Sequence, residues 1–96
     1  MDVKDKDAFL KILPEFCQTV DPMTLIIDLP CLSQTDREQI MNSQTGALHG
    51  STSLAAQLLH SALIRRQQGF REIVLALRKN GRDDLADKMD PGHNIN

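Results

Sequence analysis

The stretch SLAAQLLHSALIRRQQGFREIVLALRKNG, residues 53–81, decides the fold. Leu54, Ala55, Leu58, Leu59, Ala62 and Leu63, with Ile64 beside them, recur at the three- and four-residue spacing of one helical face. Ser51, Thr52 or Ser53 supplies the cap, and the helix is predicted to run to about Arg66. Gly69 interrupts the pattern, after which Phe70, Ile73, Val74 and Leu77 repeat it until Asn80-Gly81, a pair suited to stopping a helix. Two amphipathic helices in succession, with no two-residue alternation anywhere, imply an all-α domain.

Working outward toward the N-terminus, Ala8, Phe9, Ile12, Leu13, Phe16 and Cys17 mark a first helix over Lys4 to Thr19. Pro14 lies inside it, removes a backbone donor and crowds the preceding turn, so a kink or a split near Leu13 is expected. Asp21 and Pro22 read as N-cap and first position of a short second helix, Met23 to Leu29, which Pro30 closes. Ser33 with Asp36 three residues on resembles a capping box opening a third helix, Thr35 to Asn42. Asn42 to Gly50 has no clear periodicity and is expected to be a loop. Beyond Gly81, Leu85, Ala86 and Met89 define a sixth helix over Arg82 to Met89, with a fraying tail from Gly92 to Asn96. The expected organisation is one domain over residues 1–91 and a disordered tail over 92–96.

A chain of 96 residues can bury one core and not two. With 41% apolar and 25% charged residues it is ordinary for a folded, water-soluble module. Phe9, Phe16 and Phe70 are its only aromatics, so the core is chiefly aliphatic and suits helix-on-helix packing. Eleven basic and 13 acidic side chains leave a net charge of -2, which selects neither nucleic acid nor an acidic membrane. The N-terminus is too polar for a signal peptide, two cysteines make no disulfide framework, and a cytoplasmic home is expected. No apolar run reaches the ~20 residues that span a bilayer. A mitochondrial outer-membrane location would need an anchor outside this chain.

Catalytic chemistry finds little footing. His49, His60 and His93 are scattered, neither Cys17 nor Cys31 sits in a nucleophile motif, and the cysteines read as core residues. His60 falls on the side away from the main apolar stripe and is expected to face solvent or the core boundary. There is no C-x-x-C or H-x-x-x-H for zinc and no phosphate-binding loop, so no metal, cofactor or small-molecule substrate is indicated. What stands out is sorted charge. Arg65 and Arg66 end the fourth helix and Arg71 opens the fifth, while Asp21, Asp28, Asp36 and Glu38 gather on the second and third. Opposite charges on different faces invite head-to-tail association. The plainer account is that the arginines complement a helix dipole and the acids cap helix starts.

Phe16-Cys17 before Val20-Asp21, Leu29-Pro30-Cys31-Leu32 leading into Ser33-Gln34-Thr35-Asp36-Arg37, then Arg65-Arg66, Gly69-Phe70, Ala76-Leu77-Arg78 and Asp84-Leu85-Ala86-Asp87 together resemble a caspase recruitment domain (CARD). The resemblance spans about Asp5 to Met89 and is nearest to the branch of the mitochondrial antiviral signalling adaptor and the viral-RNA helicase sensors. It implies a six-helix antiparallel bundle of the death fold, Greek-key in type, with a kinked first helix. It also implies a homotypic adaptor of innate antiviral signalling whose partners are other CARDs, itself included, and which assembles into oligomers or filaments. Heterologous contacts that do not close into a ring propagate in this way. By the same resemblance, Arg65 and Arg66 match a basic pair contacting acids of the next subunit. Asp21 matches an acidic position, and Asp28, Asp36 and Glu38 are further acidic partners. Phe70 stands where the branch carries Trp, offering less contact area and no indole donor. A core role for Phe70 is the other reading.

Two other functions compete. One is a CARD that recruits a procaspase in apoptosis or inflammation, separable by partner pull-down. The other is a small helical nucleic-acid-binding module using Arg65, Arg66, Arg71, Arg78 and Lys79, against which the pI of about 5.8 tells. Reversing the charge of Arg65 and Arg66 is expected to abolish self-association and leave the fold nearly untouched, as exposed charges carry little stability.

Overall fold

The computed structural model describes residues 1–45 and 51–91. It is built of six α-helices and one 3₁₀ turn: α1 (Val3–Thr19), α2 (Pro22–Leu25), the turn Ile26–Asp28, α3 (Gln34–Thr45), α4 (Ser51–Ile64), α5 (Gly69–Lys79) and α6 (Asp83–Met89). No strand occurs among the described residues. Helix α1 packs on α4 and α6, α3 on α4, and α5 on α6, closing a single core as the all-α reading expects. The predicted loop lies in part outside the described residues, as do the predicted tail, His49 and His93.

Each helix forms because its apolar stripe finds a partner. Helix α1 buries Phe9, Ile12, Phe16 and Cys17, and the rings of Phe9 and Phe16 meet edge to face at 5.5 Å. Burial of such side chains contributes about 1.5–3 kcal/mol each, which offsets the donor lost at Pro14. The helix therefore runs past Pro14 without splitting. In α4 the buried set is Ala55, Ala56, Leu59, Ala62 and Leu63, whereas Leu54, placed on the stripe by spacing, is half exposed. Helix α2 gives way to the 3₁₀ turn before Leu29, so the predicted second helix is two short pieces. Helix α3 continues to Thr45, three residues beyond its predicted end.

Caps and turns fix where the helices stop. The Asp21 carboxylate accepts from the Met23 N–H at 3.0 Å with Pro22 at the first helical position, as the sequence implied. Helix α5 ends in a Schellman turn: Gly81 N–H donates to Arg78 O at 3.1 Å and Arg82 N–H to Leu77 O at 2.7 Å. Gly81 holds φ 79°, a conformation that costs a residue with a Cβ about 1–2 kcal/mol. Nothing lies within 4 Å of a Cβ placed there, so the backbone alone decides the outcome. Gly81→Ala is expected to lower stability by about 1 kcal/mol in urea unfolding, and an unchanged midpoint would contradict this account of the α5 stop.

Candidate protein-interaction site

Asp36 sits at the third position of α3 and is buried. Its N–H donates to Ser33 Oγ at 3.1 Å while its Oδ2 accepts from the Ser33 N–H at 3.2 Å, a complete capping box. The same carboxylate receives the Arg66 guanidinium on Oδ2 and that of Arg65 on Oδ1 at 3.4 Å. Burial alone would raise this carboxyl, but the Arg66 side chain together with the Ser33 N–H and hydroxyl outweighs it and holds Asp36 below the usual carboxylate range. Asp36 thus ties the start of α3 to the end of α4. It serves the interior of the chain, and as a buried group it does not present the exposed acidic surface expected of it.

The two arginines divide the work. Arg66 has a side chain 36% exposed and is seated on Asp36; Arg65 is 65% exposed, its Nε donating to Ser61 O at 3.2 Å. Reversing both charges would therefore strike an internal tie, chiefly through Arg66, Arg65 being the more exposed and on the longer contact. A glutamate at position 66 would face a buried carboxylate. Of the other acids, Asp21 and Glu38 are exposed, Glu38 accepting from Gln34 Nε2 at 3.3 Å. Asp28 is half-buried and pairs with Lys79 at 3.1 Å. Phe70 is half-buried against the core and lines a shallow hollow with buried Val74, exposed Arg71 and Leu75, and half-buried Asp90.

A family model described as the caspase recruitment domain matches residues 1–93. The chain belongs to the caspase recruitment domain family. Comparison with curated proteins and with solved structures returned no match. A CARD acts through homotypic protein–protein contact in death-domain signalling, so the six-helix bundle is an adaptor whose partners are other domains of its fold. In this CARD Asp36 joins the basic corner at the end of α4 to the start of α3.

Several contacts of this CARD have no signal in the sequence. Glu72 of α5 accepts from the Cys31 N–H at 2.9 Å, and Arg37 donates to Leu29 O at 3.1 Å, so charged side chains fasten the Leu29–Leu32 bend. Burial, together with the Glu72 hydrogen bond and charge, pushes the Cys31 thiol up to about 12. Cys17 and His60 share a groove of about 500 Å³ between α1 and α4. His60 is a boundary residue, its ring 4.6 Å from that of Phe9. Burial raises the Cys17 thiol and lowers His60, so neither is pushed toward its charged form. No helix among the described residues is long and apolar enough to cross a membrane.

Proposed function

We propose that this CARD relays innate antiviral signals in the cytosol, being nucleated by a like domain upstream and then adding further copies of itself head to tail. The observation that carries this reading is the corner at the end of α4. Arg66 is locked onto buried Asp36, and the neighbouring Arg65, on a longer 3.4 Å contact to the same carboxylate, keeps a side chain 65% exposed. A cation held in place loses less side-chain entropy on meeting an acid than a free one does. Asp21 and Glu38, both exposed, supply acids for the next copy, with the half-buried Asp28 as a further candidate. Two complementary patches that do not face each other within one molecule generate an open series. Phe70 and Arg71 extend the basic side of the contact.

Arg65→Glu tests this: it keeps the Asp36–Arg66 pair and loses only the longer 3.4 Å contact from the largely exposed Arg65 to the same carboxylate. Light scattering with negative-stain imaging over a concentration series is expected to show large oligomers or filaments for the unaltered chain. For Arg65→Glu, monomers are expected with a thermal midpoint within a few degrees of the parent. Unaltered chain that stays monomeric throughout would remove self-assembly as an intrinsic property of the domain.

A further inference from the structure

His60 stands on the α4 wall of the groove against α1, half-buried, its ring centroid 4.6 Å from that of Phe9 and the two rings tilted by 59°. Its Nε2 is shut off from water and has no hydrogen-bond partner among the described residues. A neutral imidazole leaves at most one uncharged site unmet there. An imidazolium carries an N–H on both nitrogens, and a charged donor sealed from water without an acceptor is far costlier to hold. The face of Phe9 attracts a cation, but the tilt keeps the rings from lying flat on one another, and a phenyl ring does not replace an acceptor.

No carboxylate answers that charge. On α1 the groove is lined by Leu10, Leu13, Pro14 and Cys17, of which Cys17 alone titrates, its thiol raised by burial. Asp7 and Lys11, exposed on the same helix, do not line it. Glu15 is engaged at α6, by Lys88 at 3.0 Å and Arg82 at 3.7 Å. Among the other helices packed on α4, Asp36 of α3 is held by Arg65 and Arg66, Asp21 ahead of α2 accepts from the Met23 N–H, and Glu72 of α5 accepts from the Cys31 N–H. The charge nearest to His60 in sequence is Arg65, of the same sign as an imidazolium. Burial accordingly holds His60 below its ordinary value of 6.5.

We infer that His60 is a proton-operated latch between α1 and α4, seated beside Phe9 when neutral and driven out of the groove wall toward water when protonated. Leaving the wall uncovers the Phe9 ring and loosens α1 from α4. The fold accepts the neutral form, so the latch contributes fully above the ordinary histidine value, and the contribution is lost as pH falls through the lower folded value. Asp36 gives way only in the carboxylate range, so the two effects are separated in pH. The latch is a property of the single domain and does not rest on the assembly proposed above.

The test compares the parent with His60→Gln and His60→Leu between about pH 8 and pH 5, the range in which histidine titrates. The urea midpoint of the parent is expected to fall across this range more steeply than that of either variant. His49 and His93 are common to all three chains, so the difference belongs to His60. Amide exchange in α1 and α4 at the acid end is expected to be at least several-fold faster in the parent than in the variants, with α5 and α6 alike in all three. Nuclear magnetic resonance of the parent reads the His60 ring directly and is expected to place its titration below the ordinary value. Equal pH dependence in the three chains would overturn the inference. So would a His60 ring that titrates at or above the ordinary value, a result that decides the matter even where neither variant folds.

Discussion

Asp36→Ala is expected to destabilise the domain by about 3 kcal/mol at neutral pH. Roughly 1 kcal/mol comes from the lost cap. The remaining ~2 kcal/mol comes from leaving Arg66 without its carboxylate, below the usual range for a broken buried pair because the Arg66 side chain is 36% exposed. In a domain of this size, the thermal midpoint should fall by roughly 15 °C. The same group predicts a pH dependence of definite sign. Its carboxyl is depressed in the folded state, so its contribution is fully present above the unfolded value of about 3.9 and is lost as pH falls through the folded value. Unfolding free energies between pH 7 and pH 2 should therefore drop more steeply at the acid end for the parent than for Asp36→Ala. Arg66→Gln should cost a similar amount, and the two changes together much less than their sum, since each removes the same pair. Parallel acid limbs, or additive single changes, would show that Asp36 acts only as a cap.

That network explains why the fold could be read from the sequence more fully than the site. Helices α4 and α5 are visible because burial imposes a period, and the period names the face even when single positions such as Leu54 fall at its edge. Caps are visible because they are local: Asp21 with Met23, Ser33 with Asp36, Gly81 after α5. The end of α3 was not, since Asn42, Ser43, Gln44 and Thr45 carry no apolar signal and continue a helix begun by others. Nor was the fate of Pro14, which depends on how much Phe9 and Phe16 gain by packing on either side of it.

Charges pose a different problem. An acid near the start of a helix fits a cap and a partner-binding surface equally well, and only the third dimension separates the two. Asp36 and Arg66 are 30 residues apart, and nothing in their spacing shows that α3 and α4 bring them together. The basic pair was legible as a pair, but its shared hold on Asp36, tighter for Arg66 than for the more exposed Arg65, was not. The distinction matters because a double charge reversal would combine loss of the proposed interaction patch with loss of an internal tie. The change at Arg65 disturbs that tie less.

Gly69→Ala is expected to cost about 3 kcal/mol or more, for a reason opposite to the usual one. Gly69 opens α5 with no unusual backbone conformation, and on helix propensity alone alanine would gain up to about 1 kcal/mol there. The surroundings reverse the sign. A Cβ at this position would stand 2.2 Å from the Leu63 carbonyl oxygen and 3.0 Å from its carbon. These are backbone atoms at the end of α4, and Leu63 O is engaged by the Arg66 N–H at 3.0 Å. They cannot rotate aside as a side-chain tip can. Either α5 is displaced from α4 or the last turn of α4 opens, and both disturb a corner buried against Leu63, Ile73 and Leu77. The glycine thus sets how closely the two helices approach, and with it the placement of Arg65 and Arg66 relative to Phe70 and Arg71. Thermal unfolding of Gly69→Ala should show a midpoint lowered by roughly 15 °C, against roughly 4–8 °C for Gly81→Ala, where conformation alone is at stake. If Gly69→Ala were as stable as the parent, the close approach of α4 and α5 would not be what positions this corner.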